Sequence, residues 1–271
     1  MKREMSVAGS FYSAESSEIK RYFDHFTKLY DEQFQLPQIH SRAIIVPHAG
    51  YIYSGYTANV AYRILQQSNL HTLVIIGPSH RVGFYGASLC EFESYATPFG
   101  NLPSSKELAT ELKQNFSLHC LQDAHHEHST EVQFPFVKYY MKDVKILEIV
   151  YGEVDPKEIS KIIDFVLEKD HAGIIISTDL SHFHTLQEAN KLDSICSDAL
   201  KTLDIQELYQ GCEACGKIGL DAMMQSAKTK GLHVELLDYR TSADTTQDDQ
   251  SVVGYLSACF SGFGVMKKTR G

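Results

Sequence analysis

Three apolar runs in this chain each end in a histidine. They are Arg42-Ala-Ile-Ile-Val-Pro-His48, Thr72-Leu-Val-Ile-Ile-Gly-Pro-Ser-His80 and Gly173-Ile-Ile-Ile-Ser-Thr-Asp-Leu-Ser-His182. Short runs rich in β-branched residues read as buried strands. Ligands of open α/β sheets gather where the strands end. A buried imidazole needs a hydrogen-bond partner or a metal. Three imidazoles at three strand ends therefore predict one converging polar pocket. The turns Pro47-His-Ala-Gly-Tyr51 and Gly77-Pro-Ser-His80 share one design, which points to a metal or catalytic site rather than to a pair of structural histidines. In the third run, Asp179 either orients a histidine by accepting its N–H or simply caps the turn. His182 is then a candidate proton donor or acceptor, and His184 reads as peripheral.

Other clusters carry less chemistry when taken alone. His125-His126-Glu127-His128-Ser129-Thr-Glu131 reads as a solvated loop. It lacks the two helically spaced histidines of a zinc protease. Cys212-Glu-Ala-Cys215 is a single Cys-x-x-Cys pair, and a structural zinc site needs a second pair of ligands. Cys215 could still complete a facial ligand set beside two imidazoles, although spacing alone does not establish it. The sequence contains neither a glycine-rich phosphate loop nor a Gly-x-Ser-x-Gly nucleophile elbow.

These residues need a scaffold, and the pattern alternates. Helical stretches are expected at Ser13 to Tyr30, Thr57 to Gln66, Glu188 to Leu203 and Gly219 to Lys228. A capping box, Ser104-Ser-Lys-Glu107, opens another that runs to about Gln114. Asp155-Pro156-Lys-Glu158 starts a further helix with proline at its first position. Strands are expected at Ala43 to Val46, Leu73 to Ile76, Val144 to Val150, Ile174 to Ser177, His233 to Asp238 and Val252 to Cys259. Strands alternating with helices imply one three-layer α/β/α domain over residues 1–271, with a mostly parallel or mixed sheet.

A chain of 271 residues, 43% of them hydrophobic, can bury a sizeable core. A net charge of -9 excludes a polyanion binder, so no nucleic-acid partner is expected. The tail Lys267-Lys268-Thr-Arg270 reads as a solvated end. No apolar run reaches membrane-spanning length, and the start of the chain has no apolar signal-peptide core. A cytoplasmic protein is expected, with most of its six cysteines reduced and several filling the core.

The motifs together resemble the MEMO1 family, whose prokaryotic members are called AmmeMemoRadiSam system protein B. The resemblance rests on Ala8-Gly-Ser-Phe-Tyr12, Pro47-His-Ala-Gly-Tyr51, Gly77-Pro-Ser-His80, Glu127-His-Ser-Thr-Glu131, Ser177-Thr-Asp-Leu-Ser-His182, Ala214-Cys-Gly216 and Ser251-Val-Val-Gly-Tyr255. Phe11 stands where members usually carry tryptophan. The resemblance implies a fold similar to the class III extradiol dioxygenase catalytic subunit, whose Fe(II) is held by two histidines and a carboxylate. By that likeness His48 and His80 are metal ligands, and Cys215 takes the third ligand position. His182 matches the acid–base histidine. His128 and Asp179 lie around the same pocket, behind the ligands or facing substrate.

A thiolate is softer than a carboxylate, so iron tuned differently, copper or zinc would suit the site. Standard catechol ring cleavage does not follow, whereas a non-haem metal-dependent oxidoreductase does. By family association, prokaryotic members go with an AMMECR1-type protein and a radical-SAM protein in a modification pathway. Mammalian members are described as cell-motility effectors that bind signalling partners. Three readings follow. The first is a mononuclear redox site with Fe(II) favoured. The second is a non-catalytic module that binds a peptide or small ligand, with Phe11, Tyr12, Tyr51 and Tyr53 as rim or core. The third is a zinc hydrolase with His182 as base.

Overall fold

A computed structural model describes residues 1–262 as one α/β domain. The strands are β1 (Lys2–Arg3), β2 (Ala43–Val46), β3 (Thr72–Pro78), β4 (Ala87–Ser88), β5 (Ser94–Tyr95), β6 (Leu102–Pro103), β7 (Leu118–His119), β8 (Lys145–Tyr151), β9 (Ala172–Ser177), β10 (His182–His184), β11 (His233–Thr241) and β12 (Val252–Ser261). The helices are α1 (Ser16–Asp31), α2 (Tyr51–Leu65), α3 (Lys106–Asn115), α4 (His128–Glu131), α5 (Gln133–Tyr140), α6 (Pro156–Leu167), α7 (Leu186–Thr202), α8 (Ile205–Leu208), α9 (Lys217–Lys230) and α10 (Ala243–Thr246).

Nine strands form the main sheet in the order β10-β12-β2-β9-β3-β8-β4-β7, with β11 also on β12. Strands β2, β9, β3 and β8 run parallel, and β12 and β4 flank them antiparallel. The sheet is therefore mixed. The side chains of the parallel strands alternate between two cores, as a pleat buried on both sides requires. Ile44, Val46, Leu73, Ile75 and Ile175 face the core under α1, α2 and α5. Ala43, Ile45, Val74, Ile76, Ile174 and Ile176 face the core under α3, α6, α7 and α9. This is the three-layer arrangement expected from the alternating pattern.

The strand order decides where the site lies. Strand β9 sits between β2 and β3, so the three histidine-tipped strands are immediate neighbours. His48 follows the end of β2 by two residues, His80 follows β3 by two, and His182 opens β10 after β9.

Some expectations need correction. Helix α2 starts at Tyr51 rather than Thr57, because it is buried on nearly every side and so shows no amphipathic stripe to mark its start. The Ser104 capping box does not form. Ser105 is the N-cap, without a side-chain cap bond, while Ser104 bridges to Ile146. Four cysteines are not reduced: Cys90 pairs with Cys120, and Cys196 with Cys212, leaving Cys215 and Cys259 free among the described residues. The basic tail lies outside the described residues. Among those described, no helix is long and apolar enough to cross a membrane.

The segment read as a solvated loop is instead core. His125, Glu127, Ser129, Thr130 and Glu131 are fully buried. Their polarity is satisfied by partners distant in sequence, Glu131 by the start of the chain and His125 and Thr130 by Glu148. Strand β1 pairs with β5 and seats Arg3, whose guanidinium lies 2.8 Å from Glu131. Glu131 also accepts the main-chain N–H groups of Ser6 and Val7, each at 2.8 Å, and the Tyr12 hydroxyl at 2.9 Å. Glu148 on β8 takes His125 Nδ1 at 2.7 Å and the Thr130 hydroxyl. Buried charges persist where each finds a partner of this kind.

Candidate metal centre

His48 is 2% exposed and is gripped at both ends. Its main-chain N–H donates to Asp179 Oδ1 at 2.7 Å, which ties the end of β2 to the end of β9. Its ring Nδ1 lies 3.0 Å from Ser177 Oγ. The Ser177 hydroxyl spends its one proton on the Ser129 carbonyl and accepts Gln133 Nε2 at 2.9 Å. Toward His48 that oxygen can only accept, so Nδ1 carries the ring proton. Gln133 is fixed in turn by the Pro47 carbonyl and the Tyr62 hydroxyl, each at 2.9 Å. The Nε2 lone pair of His48 is thereby turned into the pocket.

Glu127 does the same for two more rings. His80 Nδ1 stands 3.1 Å and His128 Nδ1 2.8 Å from the one oxygen Oε1. The carboxylate also accepts the main-chain N–H of His80 at 2.6 Å and that of Ser129 at 3.1 Å, the latter capping α4. Burial opposes its charge, yet the ring donors of His128 and His80 and these two N–H groups outweigh burial and hold its carboxyl well below the usual range. An ionised Glu127 draws the Nδ1 protons and frees Nε2 of both rings.

One nitrogen from each of His48, His80 and His128 gathers within 4.8 Å of the others. Ring centroids are 5.1 Å apart for His48 and His80, 5.3 Å for His48 and His128, and 4.6 Å for His80 and His128. Burial first, then the neighbouring His80 and His128, pushes the His48 imidazole well below its ordinary range. His80 is the exposed member of the trio and marks the opening to solvent.

Cys215 enters from the loop before α9. Its sulfur lies 3.3 Å from His48 Nε2 and accepts the Asp179 N–H, also at 3.3 Å. The loop is held by two main-chain bonds, Cys215 N–H to the Asp179 carbonyl at 3.3 Å and Gly216 N–H to Thr178 Oγ1 at 2.8 Å. Only glycine permits this approach. A Cβ on Gly216 would stand 2.6 Å from Thr178 Cβ and 3.0 Å from the Ser177 carbonyl oxygen. Burial, then the Asp179 carboxylate, pushes the Cys215 thiol up to about 12. Unaided, it is an S–H group, and a bound cation would have to displace its proton.

Asp179 spends its carboxylate on the His48 main chain, while burial raises its carboxyl. His182 lies close enough for its charge to act on both His48 and Asp179. His184 bonds Glu213 at 2.7 Å, away from the trio. Of the aromatic rim, Tyr12 and Tyr51 are core, Phe11 stacks on His128 at 4.6 Å, and Tyr53 is 40% exposed.

Residues 3–259 match the family described as Memo-like protein. The chain is 34% identical to a MEMO1 family protein of Aquifex aeolicus, covering 95% of this chain and 98% of that one. The chain belongs to the MEMO1 family. A MEMO1 family protein of Thermoplasma volcanium is 32% identical over 95% of this chain and 97% of its own. One of Archaeoglobus fulgidus is 30% identical over 95% and 99%. The family match over residues 3–259 spans the positions of His48, His80, His128, Asp179, His182 and Cys215.

Two residues in the MEMO1 pocket were invisible as functional groups in the sequence. Glu127 appeared in a polar segment and in the motif Glu127-His-Ser-Thr-Glu131 without a role of its own, and Gln133 was not singled out. The signal for Glu127 was present in its position, one residue before a histidine and two before a serine whose N–H it caps.

Proposed function

We propose that this MEMO1-family chain holds a single metal ion on His48, His80 and Cys215, with Fe(II) favoured and copper or zinc also suited to the donors. His128 stands beside them as a further nitrogen donor or as a contact for substrate. The observation that supports this reading is the shared bonding logic of the three rings. Each spends its Nδ1 proton on a buried acceptor, so the three rings turn their Nε2 edges inward, and the Cys215 sulfur lies 3.3 Å from that of His48. That is how metal-binding histidines are oriented by the groups behind them. Bound there, iron or copper would supply one-electron redox chemistry suited to an oxidation or oxygen-linked reaction. The chain's own residues do the rest. Asp179 locks the His48 turn, Glu127 keeps His80 and His128 facing inward, and His182 holds or releases a proton at the pocket wall. Exposed His80 leaves a route for a small molecule or peptide side chain. AMMECR1-type and radical-SAM proteins are the partners this reading suggests, with a modification pathway as the setting.

Purification without oxygen and quantification of bound metal test it, beside His48→Ala, His80→Ala and Cys215→Ala. About one iron or copper per chain, lost in each variant, is the expected result. A wild-type protein that takes up neither Fe(II), Cu(I) nor Zn(II) on reconstitution would sink the reading. The pocket would then be a ligand-binding site.

A further inference from the structure

A second buried carboxylate stands behind His182, and the pocket chemistry described above does not use it. Asp193, on α7, is 1% exposed. Its Oδ1 accepts the main-chain N–H of Ser181 at 2.9 Å, and its Oδ2 accepts the Tyr239 hydroxyl at 2.8 Å. The Ser181 carbonyl accepts the Gly254 N–H at 3.0 Å, and the Gly254 carbonyl accepts the Leu180 N–H at 2.9 Å. Both polar main-chain groups of the residue before His182 are therefore tied down.

The residue after His182 is strained. Phe183 has φ +64°, a left-handed conformation that bulky residues adopt only under constraint, although its ring is 77% exposed and gains little by burial. The pairing of β10 with β12 shifts register between His182 and His184. Something must over-determine this turn, and the Asp193 bond to Ser181 does. Space for it is reserved opposite: a Cβ on Gly254 would stand 1.9 Å from Asp193 Oδ2. The carboxylate occupies the place a side chain would take. His182 and Asp193 are also close enough for the charge of one to act on the other.

We propose that Asp193 is the positioning residue of His182: it fixes Ser181 so that the strained turn at Phe183 presents His182 to the pocket. The proposal rests on the reading that His182 serves that pocket. A buried carboxylate that merely anchors α7 to β11 would need only the Tyr239 bond. The bond to Ser181 and the missing Cβ at Gly254 both aim at the His182 turn.

The test is histidine-ring and amide NMR on the full-length protein, with His182 assigned through His182→Gln. Asp193→Ala should shift the His182 ring resonances and speed Ser181 amide exchange about tenfold or more, as loss of a charged hydrogen bond implies. The ring signals of His48, His80 and His128 should stay in place. Asp193→Asn keeps an acceptor oxygen and should bring both readouts most of the way back to wild type. Gly254→Ala leaves Asp193 chemically intact and should reproduce Asp193→Ala by displacing its carboxylate. It also decides the matter should Asp193→Ala not fold. Unmoved His182 resonances in folded Asp193→Ala or Gly254→Ala protein would overturn the proposal, as would a shift that Asn fails to reduce. Fe(II) content, measured on the same samples, separates the two claims. Wild-type protein that binds no metal refutes the metal reading alone, and an unmoved His182 refutes the positioning role alone.

Discussion

Glu127→Gln is the sharpest perturbation of the pocket, because it changes one atom's chemistry and almost no volume. The carboxylate accepts three bonds at Oε1 and one, from the His80 main-chain N–H at 2.6 Å, at Oε2. Glutamine keeps one acceptor oxygen. Placed at Oε1, it preserves the His80, His128 and Ser129 bonds but points its amide at the His80 N–H, donor against donor. Placed at Oε2, it keeps that one bond and sets its amide against three donors. The first orientation is the lesser loss. One hydrogen bond to a charged group, about 1.5–3 kcal/mol, is forfeited, and the remaining ones weaken with the charge. The His80 turn must move, and the hold on both Nδ1 protons slackens. Groups behind metal-binding histidines typically alter metal affinity by about 10–100-fold, equivalent to about 1.4–2.8 kcal/mol. Competition with a chelator under anaerobic conditions measures that affinity, and nitrogen-15 spectra of the imidazoles report which ring nitrogen holds the proton. Glu127→Gln should bind Fe(II) at least about tenfold more weakly and show mixed tautomers at His80 or His128. Affinity within about threefold of wild type, with unchanged tautomers, would refute the orienting role.

Three further outcomes follow from the same geometry. Gly216→Ala drives a Cβ to 2.6 Å from Thr178 Cβ and should cost about 1–3 kcal/mol of stability while moving Cys215, so metal binding in the folded variant should fall even though every donor remains; equilibrium unfolding and metal titration check both parts. The Glu127 carboxyl is depressed in the fold, so its stabilisation is complete above the ordinary carboxylate value near ~4.3 and is lost as pH falls below it; the stability gap between wild type and Glu127→Gln in urea should therefore shrink from pH 6 toward pH 3. Disulfides Cys90–Cys120 and Cys196–Cys212 close loops separated by 30 and 16 residues. Each should contribute about 3 kcal/mol, so reduction should lower the unfolding midpoint, and peptide mapping without reductant should find these two pairs, with buried Cys259 alkylatable only after unfolding.

Much of this was legible in the residues. The apolar runs around Ile44, Ile75 and Ile175 announced strands, and the histidines at their ends announced a shared pocket. Their adjacency was not legible. Chain order places β9 far from β2 and β3, and only the crossover connections insert it between them. The segment His125–Glu131 misled because its polarity suggests solvent, whereas its partners Arg3, Ser6 and Tyr12 lie more than a hundred residues earlier. Local pattern carries no trace of such pairs. The cysteine pairs were hidden for the same reason, since scattered cysteines have no spacing signature until folding brings them together.

Three imidazoles with rings about 5 Å apart cannot all carry protons at Nε2 without mutual repulsion, felt most at buried His48. Burial and the neighbouring rings already push the His48 imidazole down. Glu127 nevertheless contributes a full negative charge immediately behind two of the rings. The chain thus fixes an anion behind a cluster of ring nitrogens whose most buried member, His48, resists protonation. Arg3 cannot answer that anion, since its guanidinium is engaged with Glu131 and lies near Glu148. A cation brought from outside satisfies the lone pairs and the anion together, and it would also lower the cost of ionising Cys215, whose thiol otherwise keeps its proton. On this argument metal binding should release about one proton per site from Cys215. Uptake at constant pH with no proton release, in protein where Cys215→Ser binds equally well, would place the sulfur outside the ligand set.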